Sequence, residues 1–382
     1  MANIFDYLSW RGDLDFNASP FNPVDNIIFS QLSYLTLDNI VPGIDENDGI
    51  CIDLAIRQYN EKLNSPEGIQ LTSIFKDDPK LINALALSRR FGKCFLFGYE
   101  NHIDTNREIQ FAALSILLNK EDENNNYIIF RGTDSSIVGW KENFNMSFKK
   151  EIPAQHEAVE YLEKMAVKIK GPLYLCGHSK GGNLAIYAAA NCSNKVQKRI
   201  VKIFSNDAPG FHENVIMSDG FMKIKDRIIS YVPQESIIGM VLEHGYENII
   251  IKSSQNGILQ HDLYSWEVTF NDLVRVDKLA VSSKYVNDTL REWMNNLDNE
   301  GKEQFIDAMY HVLNKAEVKS VNDLEVDWFA SACRIIKSLS HIDSQTQKLI
   351  RKILAELFRS AGKNIDTLIN RNELGNHSFD KK

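Results

Sequence analysis

Residues 173–191 read LYLCGHSKGGNLAIYAAAN. The run Leu173–Cys176 is wholly apolar and short, as a buried strand is, and Gly181–Asn191 is rich in small residues, which suits a helix lying close on a sheet. Between them stands Gly177-His178-Ser179-Lys180-Gly181, a G-x-S-x-G. The bare pattern is expected by chance on the order of 0.1 times in a chain of this length, so its setting decides the matter. A strand before and a helix after it describe a cramped turn with the serine hydroxyl lifted clear of the sheet. Glycine is needed two residues either side for the backbone to pass. The blander alternative is a turn whose serine merely caps the helix.

Outward from this segment the text keeps alternating. Pro153–Ile169 carries Ala158, Leu162, Met165 and Ala166 on one helical stripe, ended by Gly171-Pro172. Upstream, Ile109–Leu118 and Tyr127–Phe130 read as strands around a polar turn at residues 121–126. Downstream, Val201–Phe204, Ile228–Val232 and Asn248–Ile251 are three more short β-rich runs. Strands alternating with helices predict an α/β fold with a mostly parallel sheet covered on both faces. Further helices are predicted over residues 22–37, Ile52–Leu63 and Pro79–Arg90. After about residue 275 strand signals stop, and residues 282–297, 300–316, 325–340 and 344–370 read as helices. The expected organisation is therefore a sheet domain over 1–275 and a helical C-terminal region over 276–382, docked on it as cover rather than acting as a lid.

Composition narrows the class. The 382 residues are 43% hydrophobic and 25% charged, enough for a sizeable core and unlike a disordered chain. A net charge of −8 and a pI near 5.7 argue against electrostatic capture of nucleic acid or of an anionic membrane. The first residues lack the basic and apolar regions of a secretion signal, and no run of 18 apolar residues occurs to make a transmembrane segment. Five scattered cysteines with no C-x-x-C spacing signal neither zinc nor a disulfide framework. No cofactor or metal is implied, and the expected setting is the cytoplasm. The Arg11-Gly12-Asp13 triplet reads as a turn.

A serine is a poor nucleophile at neutral pH and needs an imidazole base, itself oriented by a carboxylate. When the serine sits on such an elbow, the acid and then the histidine follow it, on loops at the carboxyl ends of later strands. His102 and His156 come too early, His311, His341 and His377 lie in the helical tail, and His178, inside the elbow, is expected to point the wrong way. His212, His244 and His261 remain. His261 follows the last strand by ten residues, the expected place for the base. His212 is out of order, and His244 is expected to end a helix after Pro233. For the acid, Glu235 directly follows the strand Ile228–Val232, with Asp207, after Val201–Phe204, as the alternative; Asp262 is expected to face away. Lys180 is not placed as a Ser-x-x-Lys base, but its backbone N–H is the natural first donor to an oxyanion. The loop Phe130-Arg131-Gly132-Thr133-Asp134 offers the second at Thr133. Such donors contribute about 3–4 kcal/mol each to an acyl-transfer barrier.

Four long stretches, FRGTDSSIVGWKENF, PAQHEAVEYL, GHSKGGNLAIYAA and SNDAPGF, occur in order. With them the chain resembles the class 3 lipase-like branch of the α/β-hydrolases. Within that branch it is most similar to a largely uncharacterised bacterial lipase-like group, whose members open like IFDYLSWRGDLDF and NPVDNIIFSQLSYL and close like VPQESIIG and QHDLYSW. The likeness covers about residues 1–270. It implies an α/β-hydrolase fold, with Ser179 as nucleophile, His261 as base and Thr133 as second oxyanion donor. In the better-known lipases an Asp commonly precedes the Val-Pro pair, whereas here Tyr231 precedes Val232-Pro233 and the carboxylate comes after, at Glu235. The expected activity is serine hydrolysis of a carboxylic ester, from a small acyl ester or a lipid, through an acyl-enzyme. The alternatives are a scaffold that binds without turnover, and an acyltransferase or thioesterase using the same nucleophile.

Overall fold

The computed structural model describes residues 1–65, 75–121, 124–134, 139, 142, 145, 146 and 149–280. The four helices expected between residues 282 and 370 lie outside these. Eight strands form one sheet in chain order: β1 (Ile50–Cys51), β2 (Phe95–Asp104), β3 (Ile109–Leu117), β4 (Asn126–Phe130), β5 (Leu173–His178), β6 (Ile200–Asn206), β7 (Ile228–Pro233) and β8 (Asn248–Ile251). The first four pair antiparallel; from β4 onward every neighbour is parallel. This is the α/β fold with a mostly parallel sheet that the alternating text predicts.

The pleat sends successive side chains to opposite faces, and both faces are dry. Tyr127, Ile129, Cys176 and Phe204 face one core, shared with helices α1 (Ile4–Arg11), α2 (Pro23–Leu32), α3 (Ile52–Leu63) and α4 (Asp78–Leu87). Ile128, Phe130, Leu175 and Ile203 face the other, under α5 (Pro153–Lys168) and α6 (Lys180–Asn191). Each fully buried Leu or Ile contributes about 1.5–3 kcal/mol, which is why both cores specify the register of the central strands. The small residues Ala185, Ala188 and Ala189 are completely buried, so α6 lies tight on the sheet.

Three departures from the sequence expectation bear on the site. Strand β2 was not foreseen, because its polar residues Glu100, Asn101 and His102 break the apolar run; pairing with β3 forms it regardless. Helix α2 starts where expected, with Asn22 and Asp25 in a capping box and Pro23 in the first turn, but it stops at Leu32 rather than continuing to residue 37. Ser33 turns its hydroxyl onto the Ser30 carbonyl and the Tyr34 N–H bonds Gln31 O, so the chain tightens and leaves the helix. That exit aims Tyr34 at the elbow. No α-helix stands between Pro233 and β8 either; a single 3-10 turn, Ile238–Met240, stands there.

Candidate active site

β5 ends at His178 and α6 begins at Lys180, so Ser179 alone makes the turn, with φ 57° and ψ −132°. A non-glycine residue in that region carries about 1–3 kcal/mol of strain, held by the surrounding structure. The flanking glycines explain how it is held. A Cβ on Gly177 would lie 2.2 Å from the backbone of Gly181, and one on Gly181 would lie 2.1 Å from the Phe130 carbonyl oxygen. Ser179 N–H donates to Asn206 O at 2.9 Å, tying the elbow to the end of β6. The hydroxyl makes no capping hydrogen bond to α6, so the helix-cap alternative fails.

Asp207 directly follows β6 and is the second strained non-glycine residue here, at φ 47°. Its Oδ2 lies 2.6 Å from His261 Nδ1, and its Oδ1 accepts from Ser236 Oγ at 2.5 Å and from Gly239 N–H at 3.1 Å. The carboxylate is 1% exposed and the imidazole 20%. Because a carboxylate only accepts, Nδ1 carries a proton, which in the neutral ring leaves the lone pair on Nε2. A histidine so arranged can take a proton and have the resulting charge stabilised from behind.

The carboxylate that reaches His261 is thus Asp207, and Glu235, the first choice from sequence, is placed elsewhere. Its side chain accepts from Gly257 N–H at 2.5 Å and its own N–H donates to Gln260 Oε1 at 2.9 Å. Glu235 therefore pins the start of the 3-10 turn Gly257–His261 that presents the histidine. The reason is the path of that turn: after β8 the chain folds back over the sheet to the end of β6. Asp262 caps Tyr264 N–H at 3.0 Å; burial, with Asp77 and Asp78 nearby, pushes its carboxyl up to about 6.

Of the other histidines, His212 and His244 turn Nε2 toward the carbonyls of Met146 and Ala208. His178 departs from expectation. Its ring lies 4.4 Å from that of His261, with Nδ1 2.8 Å from the Tyr34 hydroxyl and Nε2 2.9 Å from the His261 carbonyl oxygen. Burial pushes this imidazole well below its ordinary range, so it is neutral.

The loop after β4 closes on the elbow from the other side. A Cβ at Gly132 would stand 2.2 Å from the Tyr34 hydroxyl, 2.5 Å from the His178 carbonyl and 3.2 Å from Ser179 Cβ, so only glycine allows this approach. Thr133 follows at 9% exposure, and its Oγ1 is buried without a hydrogen-bond partner among the described residues. A buried, unpaired hydroxyl costs about 1–3 kcal/mol, a cost relieved by a bound acceptor. The Lys180 backbone N–H opens α6, whose first amides have no acceptor within the helix. Its side chain runs into the interior, where Nζ meets Glu142 Oε2 and Gln110 Oε1, each at 2.7 Å. The lysine is therefore an anchor for the elbow rather than a base.

Ser179, His261, Asp207, Thr133 and Lys180 thus lie on the loops at the carboxyl ends of β4, β5, β6 and β8, where open α/β sheets hold their ligands. Among the described residues no group of three or more His, Cys, Asp or Glu could hold a metal ion, and no helix is long and apolar enough to cross a membrane. The fold is that of an α/β protein with a mostly parallel sheet, and Ser179 stands on a strand–turn–helix at its edge. The family model for Mbeg1-like proteins matches residues 85–311, more than half of the chain. The chain belongs to the Mbeg1-like family, which is reported as lipase-like. No curated protein matches it.

Proposed function

We propose that this protein is a serine hydrolase of the class 3 lipase-like kind, cleaving carboxylic esters through an acyl-enzyme. One observation carries the reading: the 2.6 Å contact between His261 Nδ1 and Asp207 Oδ2, with the His261 ring 4.4 Å from that of His178, the chain neighbour of a serine strained at φ 57° whose hydroxyl caps nothing. In the proposed reaction Ser179 Oγ attacks the ester carbonyl while His261 Nε2 takes its proton. Asp207 steadies the imidazolium. The oxyanion is held by the N–H groups of Lys180 and Thr133 and by the Thr133 hydroxyl. Collapse breaks the C–O bond, and His261 returns the proton to the departing alkoxide. Water, deprotonated by the same histidine, then releases the acid and restores Ser179. The free thiols Cys51, Cys94, Cys176 and Cys192 support a reducing, cytoplasmic setting.

The test is labelling with a fluorophosphonate and turnover of p-nitrophenyl esters of graded chain length. Wild type should be labelled at Ser179 and turn over ester, and Ser179→Ala should do neither. A folded wild-type protein that resists the probe and leaves every ester intact overturns the reading in favour of a binding scaffold. Faster product formation with an added alcohol or thioester would instead identify an acyltransferase or thioesterase.

A further inference from the structure

His178 and Tyr34 are both buried and neither has a part in the chemistry proposed above, yet together they touch both loops that would perform it. A carbonyl oxygen can only accept, so the 2.9 Å contact with the His261 carbonyl requires the proton of His178 on Nε2. Nδ1 is then the acceptor, and the Tyr34 hydroxyl at 2.8 Å is its donor. The carbonyl therefore selects the tautomer of His178, the tyrosine satisfies the remaining nitrogen, and the pair of hydrogen bonds holds the backbone of His261. The imidazole of His261 is consequently held at two points, its Nδ1 by Asp207 and its main chain by His178. The same hydroxyl lies where a Cβ on Gly132 would stand 2.2 Å away, so it also fits against the oxyanion loop.

We propose that Tyr34 and His178 are positioning residues, a hydrogen-bonded relay from Tyr34 through His178 to the His261 carbonyl that sets the base against Ser179. As a statement about catalysis this rests on the hydrolase reading; as a statement about the resting site it does not. Phe75 packs beside both rings, edge-on to Tyr34 at 5.0 Å and tilted to His178 at 6.1 Å, which leaves the pair little room to rearrange. Burial keeps His178 neutral, so its Nδ1 stays an acceptor for the Tyr34 hydroxyl.

The experiment uses the full chain and three variants, Tyr34→Phe, His178→Gln and His178→Asn. Two-bond nitrogen–proton correlation spectra read the tautomers without any substrate. Wild type should show His178 protonated at Nε2. Tyr34→Phe should strip Nδ1 of its donor, shift that nitrogen's resonance and move the nitrogen shifts of His261. Unchanged His178 and His261 spectra in Tyr34→Phe overturn the relay whatever the activity. Should Tyr34→Phe not fold, the two His178 variants carry the test through His261. The Gln amide can still donate where Nε2 did, whereas the shorter Asn keeps only the acceptor near Tyr34. His178→Gln should therefore keep wild-type His261 shifts and kcat within about threefold, and His178→Asn should lose about tenfold or more in kcat with KM unchanged. Equal losses in the two, tracking thermal stability, would mean that the residue only fills space. If wild type proves inert toward esters while the spectra shift as described, the hydrolase reading fails and the relay stands.

Discussion

The replacement of Asp207 by Asn is the sharpest test of the site, because its outcome follows from three hydrogen bonds. Oδ1 accepts from two donors, Ser236 Oγ and Gly239 N–H, while Oδ2 faces His261 Nδ1 at 2.6 Å. An amide at this position must turn its carbonyl oxygen toward the two donors, since its NH2 group would clash with both. The NH2 then points at Nδ1, which can answer only with a lone pair. The imidazole proton moves to Nε2, the nitrogen that has to accept the serine proton, and the base is disabled while the fold is kept. A wrong tautomer of this kind lowers kcat by about 10⁴-fold, or about 5–6 kcal/mol in the barrier. Glu235→Gln keeps an oxygen for Gly257 N–H and should stay within about threefold of wild type, because it touches the histidine only through the turn. Initial rates on a short p-nitrophenyl ester and the second-order rate of fluorophosphonate labelling measure both. Asp207→Asn within tenfold of wild type, or Glu235→Gln down by a thousandfold, would refute the assignment of the acid.

Three further outcomes follow from the same structure. At φ 57° the Cβ of residue 179 is strained, so Ser179→Gly should be about 1 kcal/mol more stable than Ser179→Ala although both lack the hydroxyl; urea denaturation compares them, and a more stable alanine would mean that the turn is relaxed. Asp262 has its carboxyl raised to about 6 from 3.8, so the native state holds a proton between those values that the unfolded chain has released. Stability falls as pH rises through that window, and Asp262→Asn should match wild type near pH 4 yet exceed it by about 1–3 kcal/mol above pH 6.5, with equal melting curves at both values counting against it. Arg90 grips Asp25 with two nitrogens at 2.8 and 2.6 Å, both side chains fully buried, so Arg90→Met should cost about 3–5 kcal/mol by stranding the carboxylate; a loss below 1 kcal/mol in denaturant would show that the pair carries no weight.

What was legible in the sequence was whatever depends on neighbours along the chain. The elbow could be read because Gly177 and Gly181 clash with the backbone of its own turn and of the adjoining strand, a local steric demand. The place of His261, on a loop beyond the last strand, could be read because it follows from chain order. The carboxylate beside it could not, since Glu235 and Asp207 both follow apolar strands and differ only in where the Gly257–His261 turn lands. That landing is set by contacts of long separation, such as the Tyr264 hydroxyl on Asp78 Oδ1, 186 residues apart. The partners of His178 could not be read for the same reason: Tyr34 is 144 residues away. Strand β2 went unseen because its polar positions mask a pairing that β3 imposes from outside.

The family match begins at residue 85, yet the site leans on residues before it. Helix α2 sets Asn26 and Ser30 against Asn206, with Asn26 Nδ2 2.8 Å from Asn206 Oδ1 and Asn206 Nδ2 3.0 Å from Ser30 Oγ. Asn206 in turn receives the Ser179 N–H on its carbonyl and precedes Asp207, so the strained Ser179 and the strained Asp207 share one buttress. Just past the end of α2 the chain delivers Tyr34 to His178. Strain of about 1–3 kcal/mol at each of two residues has to be met by contacts that would be lost if those residues relaxed, and here they come from the helix that the Arg90–Asp25 pair clamps in place. Loosening that clamp should therefore lower labelling at Ser179 before it unfolds the sheet.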